Sequence, residues 1–228
     1  ITNPRDIPGF IKELKKHQFT FISGVNTLFN KLLEDSKFSE CDFSKLNISI
    51  AGGMPVQKAV GDKWQAVTGC LLVVGYGLSE TAPAVSIDPI DGESFSDTIG
   101  LPLPSTEVSI QDDNGKEIPV NEVGEICVRG PQVMRGYWNN EDDTKKVLSD
   151  SGWFRTGDIG MIRSDGYIKI VDRKKDMIIV SGFNVFPSEV EEVAMMHSDV
   201  FEAGCIGVSD TNGSENVKLY VSLNSGVN

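Results

Sequence analysis

The run Cys70-Leu71-Leu72-Val73-Val74 is apolar without a break and stops at Gly75-Tyr76-Gly77. A strand with one face in water shows a polar residue at every second position. An unbroken apolar run suits a strand covered on both faces, and such strands belong to parallel sheets. Upstream, Leu46, Ile48 and Ile50 alternate with polar residues and lead into Ala51-Gly52-Gly53, a second strand ending in glycine. Between the two, Val56, Val60, Trp64 and Val67 share one helical face, with Pro55 placed to open the helix and Gly69 to close it. Strand, glycine turn, helix, strand is the unit of an α/β fold. A further helical face, Leu28, Phe29, Leu32 and Leu33, comes after Asn26, which is expected to be its N-cap.

From about residue 95 turn residues become dense: Gly100, Pro102, Pro104, Asp113-Asn114-Gly115, Pro119, Gly124, Gly130-Pro131 and Gly136. Short strands are expected between them at 107–110, 125–129, 157–162 and 167–171, with one surface helix at 141–148. Many short strands with regular punctuation predict a small β-rich subdomain, barrel-like or a sandwich. After Val171 comes the charge cluster Asp172-Arg173-Lys174-Lys175-Asp176, then a strand at 177–180 and a turn at Gly182. A helix is expected near Ser188, where Ser188 and Glu191 fit a capping box and Val190, Val193 and Ala194 form the apolar face. Strands at 203–208 and 217–223 come next, with no closing helix before Asn228. The parts read as the end of an α/β subdomain (1–95), a β-rich subdomain (96–171), a hinge (172–177) and an incomplete α+β domain (178–228).

Charge removes some functions. With 21 Lys+Arg against 33 Asp+Glu the net charge is −12, the opposite of the electrostatic footprint of a nucleic-acid binder. No apolar run approaches the roughly 18 residues needed to span a bilayer. The first residue is Ile and no charged-then-apolar leader precedes it, so a segment of a longer protein is expected. Cys41, Cys70, Cys127 and Cys205 are widely spaced, with no CxxC pair and no adjacent histidine. Four reduced, mostly buried thiols are expected, and neither a zinc site nor a redox pair. His17 and His197 are the two histidines, and neither sits by a nucleophile elbow.

Four glycine-marked segments carry polar groups suited to a common cleft. Ala51-Gly52-Gly53-Met54 ends a strand and precedes a helix, where backbone can approach a planar ligand and free N–H groups are on offer, although a plain turn has the same composition. Gly75-Tyr76-Gly77-Leu78-Ser79-Glu80-Thr81 ends the buried strand, the end at which α/β sheets gather ligands. There Tyr76 is suited to stack on a base, Ser79 to donate to a phosphate or carboxylate oxygen and Glu80 to hold Mg²⁺. Gly152-Trp153-Phe154-Arg155-Thr156-Gly157-Asp158 places a carboxylate in a tight turn, suited to the hydroxyls of a ribose. The fourth is the charged cluster with Ser181-Gly182-Phe183-Asn184, in which Arg173 is suited to ribose or phosphate.

Tyr76-Gly77-Leu78-Ser79-Glu80-Thr81 resembles the YGxTE motif of the adenylate-forming enzymes: acyl-CoA synthetases, firefly luciferase and peptide-synthetase adenylation domains. Gly124-Glu125-Ile126-Cys127-Val128-Arg129-Gly130-Pro131 with Gly136-Tyr137-Trp138 resembles the family's GEL-x-x-RGP segment, and Thr156-Gly157-Asp158 its TGD motif. The stretch Asp172-Arg173-Lys174-Lys175-Asp176-Met177-Ile178, continuing through Gly182 and Pro187-Ser188-Glu189-Val190-Glu191, resembles its hinge and the start of its mobile C-terminal domain. The likeness covers essentially the whole chain in family order. Residues 150–175, Gly52-Gly53-Met54-Pro55-Val56 and Val25-Asn26-Thr27-Leu28-Phe29 read like the bacterial fatty acyl-CoA ligases.

That resemblance implies two half-reactions: a fatty carboxylate attacks the α-phosphate of ATP, giving acyl-adenylate and pyrophosphate, and the thiol of coenzyme A then displaces AMP. Both nucleophiles come from substrates, so no protein triad is needed; the protein supplies position and charge stabilisation. By the same resemblance Gly52, Gly53 and Met54 line the adenine pocket, Tyr76 stacks on the ring, and Gly77 and Leu78 belong to the adenylate-binding turn. Ser79 and Glu80 are the catalytic residues, Ser79 on the α-phosphate or acyl carboxylate and Glu80 on Mg²⁺. Asp158 and Arg173 hold the ribose, Asp172 is the hinge residue, and Ser181, Gly182 and Phe183 border the pantetheine tunnel.

Ser79 departs from the family's usual Thr but keeps a hydroxyl. The family's phosphate loop lies upstream of residue 1 and its catalytic lysine beyond Asn228, so this chain alone is expected not to form acyl-adenylate. The resemblance leaves open an adenylating domain that loads a carrier protein and a non-catalytic nucleotide-binding relic. Expected partners are fatty acid, ATP and coenzyme A, with no nucleic acid. A cytoplasmic location is expected, with room for peripheral contact at the inner membrane face through regions outside this chain, and for a homodimer.

Overall fold

The computed structural model describes residues 3–209, 215–224 and Gly226. Parts of the expected C-terminal domain, 210–214, 225, 227 and 228, lie outside the described residues. The chain divides into two units. Unit 1 is Ile1–Val108, Val128–Phe154 and Asp165–Lys169; unit 2 is Ser109–Cys127, Arg155–Ser164 and Ile170–Asn228.

Unit 1 begins with α1 (Ile7–Leu14), capped by the Asp6 side chain accepting from Gly9 N at 3.0 Å. Next come β1 (Phe21–Gly24), α2 (Asn26–Glu34), β2 (Ile48–Gly52), α3 (Lys58–Thr68), β3 (Leu72–Gly77), β4 (Ala84–Ile87) and β5 (Leu101–Pro102). These strands form one sheet in the order β1-β2-β3-β4-β5. The first three are parallel, as the unbroken run at 70–74 predicted, and β4 and β5 join antiparallel. The core of this unit is aromatic. Phe29, Phe38 and Trp64 are fully buried, with ring centroids 4.8 Å apart for Phe29–Trp64 and 5.2 Å for Phe38–Trp64. Side chains of this size contribute about 1.5–3 kcal/mol each on burial.

Two local expectations change, and β2 adds a detail of packing. Asn26 is the first residue of α2 and not its cap; its side-chain Oδ1 accepts instead from Gln57 N at 3.2 Å. Gln57 is the N-cap of α3, which therefore starts at Lys58, three residues beyond Pro55. In β2 the fully buried residues are Ser49 and Ala51, while Ile48 and Ile50 are only partly covered. Small residues sit where Trp64 presses on the sheet: its Nε1 donates to Ser49 Oγ at 3.0 Å.

The β-rich region contains β6 (Glu107–Gln111), β7 (Gly124–Arg129), α4 (Glu141–Val147), β8 (Phe154–Ile162) and β9 (Ile168–Arg173). The four strands make a sheet in the linear order β6-β7-β8-β9. It is open; among the described residues there is no closed barrel, because nothing joins β6 to β9. α4 buries none of its residues, as expected of a surface helix, and carries three acids in its first turn and two lysines in its last, complementary to the helix dipole.

The remaining elements of unit 2 are β10 (Ile178–Val180), β11 (Phe183–Val185), α5 (Pro187–Met195), β12 (Val200–Ser209) and β13 (Glu215–Leu223). β10 and β11 form one hairpin and β12 and β13 another. The capping box expected at α5 does not form. Phe186 is the N-cap, Ser188 N donates to Asp172 Oδ2 at 2.9 Å, and Glu191 Oε1 accepts from Cys205 N at 2.7 Å. A carboxylate from outside the helix is a stronger acceptor for an unpaired N–H than a serine hydroxyl within it. Val193, expected on the apolar face, is 69% exposed.

Candidate functional site

β2 and β3 are adjacent and parallel, with Gly52 opposite Gly75, so the first two glycine-marked segments leave the sheet side by side at the strands' carboxyl ends. Packing alone demands two of these glycines. A Cβ on Gly52 would lie 2.9 Å from the Gly75 carbonyl oxygen, and one on Gly77 would collide with that of Pro83. Beyond them Gly53, Met54 and Ser79 are exposed or partly so, and Tyr76 and Glu80 are partly covered. The turn that carries Ser79 and Glu80 is locked by Thr81, which is fully buried. Its hydroxyl accepts from Leu78 N at 3.0 Å and lies 2.8 Å from the Pro83 carbonyl oxygen, to which it donates.

Glu80 is held from a distant part of the sequence. Tyr137 donates its phenol to Glu80 Oε1 at 2.9 Å, and Met134 N donates to the Glu80 carbonyl at 2.8 Å. Burial first, then the hydrogen bond and charge of Glu80, push the Tyr137 phenol above its ordinary pKa. Tyr137 received no role from the sequence; its membership of the Gly136-Tyr137-Trp138 segment was the available signal. Asp88 was missed as well. It is 4% exposed, accepts from Val74 N at 3.0 Å, from Ser96 Oγ at 2.7 Å and from Thr98 Oγ1 at 3.2 Å, and so anchors β3 just before Gly75.

Unit 2 holds the other candidates. Asp158, 7% exposed, lies in β8, and Arg173 Nε is 3.6 Å from its Oδ1, so the structure brings this expected pair together. Asp158 N donates to Thr156 Oγ1 at 3.0 Å, and that hydroxyl donates to the Ile126 carbonyl at 2.8 Å. Beside them Glu125, 5% exposed, accepts from Arg155 and Lys174 on Oε2 and from Gly157 N on Oε1. Burial alone would depress the Lys174 ammonium; its hydrogen bonds to Asp113 and Glu125 outweigh that and raise it. Asp172 spends its carboxylate on Arg173 N and Ser188 N, at the junction of β9 with the segment that leads to β10. Ser181 and Gly182 have φ of 49° and 85° and make the two-residue turn between β10 and β11, the geometry that suits a tight hairpin. Phe183 beside them is 75% exposed.

The candidates thus fall into two groups, Gly52–Glu80 with Tyr137 in unit 1 and Asp158, Arg173, Asp172 and 181–183 in unit 2. Among the described residues no three His, Cys, Asp or Glu side chains gather to bind a metal, and all four cysteines are free and buried.

In unit 1 an acid, a tyrosine and a glycine turn stand at the ends of parallel strands, and in unit 2 a buried carboxylate is paired to an arginine. Residues 1–138 match the family described as AMP-binding enzyme, and the chain belongs to that family. It is 54% identical over 224 residues to a long-chain-fatty-acid–CoA ligase of Yersinia pestis, a match that covers 98% of this chain and 40% of that protein. Among solved structures, ATP-bound MatB from Rhodopseudomonas palustris aligns with a TM-score of 0.86 and 31% identity over 99% of this chain and 44% of the other. The o-succinylbenzoate–CoA synthetase of Bacillus subtilis, in complex with its acyl-adenylate intermediate, aligns with a TM-score of 0.84 and 30% identity over 98% of this chain and 45% of the other. The chain therefore spans less than half the length of these relatives.

Proposed function

We propose that the intact protein activates a fatty acid with ATP and then transfers the acyl group to coenzyme A. In the first step a carboxylate oxygen bonds to the α-phosphorus as the bond to the pyrophosphate oxygen breaks. In the second the coenzyme A thiol loses its proton and bonds to the acyl carbon, and AMP leaves. The observation that carries this reading is the 54% identity with a long-chain ligase along 98% of the chain. The structure of the acyl-adenylate complex of the Bacillus relative supports adenylate chemistry on this scaffold.

In this reading Gly52, Gly53 and Met54 line the adenine pocket, Tyr76 stacks on the base, and Gly77 and Leu78 shape the turn beneath it. Ser79 donates to the α-phosphate or acyl carboxylate. Asp158, oriented by Arg173, accepts from the ribose hydroxyls. Asp172 is the pivot at the start of a hinge over 172–177, and Ser181, Gly182 and Phe183 border the path of the pantetheine arm. Mg²⁺ would be held by Glu80. One carboxylate is a small donor set, and it suits a Mg²⁺ that keeps waters and arrives on the phosphates of ATP. The metal would supply neutralisation of phosphate charge; the chain's own contribution is to hold Glu80 through Tyr137 and Met134. A cytoplasmic location, peripheral membrane contact and a homodimer belong to the same proposal.

The test is to incubate the intact protein with ATP, Mg²⁺ and a long-chain fatty acid and to follow pyrophosphate, then to add coenzyme A or a carrier protein and follow AMP. Fatty-acid-dependent pyrophosphate and coenzyme A-dependent thioester are expected. Release of neither would overturn the reading, and thioester formation on the carrier alone would replace its second half.

A further inference from the structure

Glu125 has more partners than a structural ion pair needs. It lies on β7, 5% exposed, and two cations converge on Oε2: Arg155 through Nε at 3.0 Å and its terminal nitrogen at 2.7 Å, and Lys174 Nζ at 3.0 Å. Its other oxygen accepts from the backbone N–H of Gly157 at 3.1 Å. The Gly157 carbonyl in turn accepts from Lys174 N at 2.9 Å. A closed ring results. It runs from Glu125 through the two ends of Gly157 to the Lys174 backbone, and returns through the Lys174 side chain to Glu125. All its members belong to unit 2.

The ring grips one residue at both its polar ends, and that residue immediately precedes Asp158. Gly157 has φ of 75°, while a Cβ there would meet no atom within 4 Å. Glycine is therefore required for the backbone direction and not for space. With that φ the N–H faces Glu125 while the C=O faces the Lys174 backbone. Thr156 is pinned on the other side through its bond to the Ile126 carbonyl. The approach to Asp158 is thus fixed at Thr156 by β7 backbone and at Gly157 by the Glu125–Lys174 ring. Asp113, exposed at the end of the Lys174 ammonium, adds a further anchor at 2.6 Å.

We infer that Glu125 and Lys174 are positioning residues for nucleotide selection: by clamping the Gly157 peptide they aim the Asp158 carboxylate at the ribose hydroxyls. This rests on the reading of Asp158 as the ribose acceptor. Neither residue touches the nucleotide. Their effect appears in the discrimination between ATP and an analogue without those hydroxyls, and not in the handling of the fatty acid.

The experiment compares kcat/KM for ATP with that for 2′,3′-dideoxyATP in the intact protein and in Asp158→Ala, Glu125→Gln and Lys174→Met. The intact protein is expected to prefer ATP, and Asp158→Ala to bring the ratio close to one. Glu125→Gln and Lys174→Met are each expected to cut the ratio by about tenfold, in line with the cost of misplacing a binding group, with KM for the fatty acid unchanged. Combining Glu125→Gln with Asp158→Ala should lower the ratio no further than Asp158→Ala alone. A collapsed ratio in Asp158→Ala with an unchanged ratio in the other two variants overturns the inference and leaves the ribose reading standing. An unchanged ratio in Asp158→Ala overturns the ribose reading itself. Should Glu125→Gln fail to fold, Lys174→Met carries the test, because Arg155 still neutralises Glu125 while the side-chain link that closes the ring and fixes the Glu125 carboxylate against Gly157 is gone.

Discussion

The Tyr137 phenol donates a 2.9 Å hydrogen bond to Oε1 of Glu80, across 57 positions of sequence. It fixes one oxygen of the carboxylate proposed to meet the metal, and the nearby Met134 amide ties the same segment to the Glu80 turn a second time. A tyrosine in this position works as a neutral donor, so its own titration reports on the bond.

Tyr137→Phe removes the donor with little change of volume. The expected result is a fall of about threefold to tenfold in kcat/KM of the intact protein, the rate equivalent of one ordinary hydrogen bond. Ultraviolet difference titration of wild type against Tyr137→Phe should place the phenol above the usual tyrosine value of about 10, and Glu80→Gln should bring it down without restoring it fully, because burial remains the larger cause. The sign is that of a raised pKa. The bond's contribution to stability is complete below the unfolded value and is lost as pH climbs through the folded one. A phenol that titrates identically in Glu80→Gln would contradict the contact.

Asp172→Ala should loosen α5 before it affects anything else. The Ser188 N–H loses its acceptor, a loss comparable to removing a helix cap, about 1 kcal/mol. Amide exchange at Ser188 should quicken by roughly fivefold in Asp172→Ala, since 1 kcal/mol corresponds to about that factor, and amides of β2 and β3 should be unaffected. Unchanged protection of Ser188 would remove the carboxylate from the helix terminus.

Ser49→Ala is expected to destabilise unit 1 by about 1–3 kcal/mol although it removes only one oxygen, because the buried indole N–H of Trp64 is left without its acceptor. Urea unfolding followed by tryptophan fluorescence measures this. A change below about 0.5 kcal/mol would mean that the indole finds another partner.

The sheet of unit 1 shows how far sequence patterns reach. The run at 70–74 announced a strand covered on both faces, and β3 is the middle strand of the sheet, because a polar residue there would have been left unpaired. In β2 the alternation of Ile48 and Ile50 marked the strand but not which of its faces packs most closely. Hydrophobicity marks what can be buried, whereas the closest packing went to Ser49 and Ala51, whose small size admits Trp64. Asn26 and Ser188 had the chemistry of caps and the correct neighbourhood, yet neither side chain caps its helix. The Ser188 N–H is satisfied from Asp172, and sequence spacing carries no record of such distant acceptors. Among the candidates, Tyr76, Ser79 and Glu80 in unit 1 and Asp158 in unit 2 could be named because glycine turns lie beside them. Tyr137, Asp88 and Glu125 act on partners distant in sequence, so their roles became visible only with the fold.

A thiol reagent should leave the four cysteines of this chain unlabelled in the folded state and reach all four after unfolding, since each is buried. Cys127 is the extreme case: burial, then the nearby charge of Glu125, pushes its thiol up to about 12. An elevated value makes the protonated form the stable one. Its contribution to stability is full below the unfolded value of 9.0 and is lost as pH rises from there to about 12. Rapid labelling of native protein near neutral pH would contradict the burial.

Silent thiols give the experimenter a clean background. A cysteine introduced at Asp150, exposed in unit 1, and another at Lys175, exposed in unit 2, would be the reactive sites of this chain for a donor and an acceptor dye, with its four own cysteines left in place. Energy transfer between the two dyes, recorded with and without added nucleotide, would give the distance between these two positions directly.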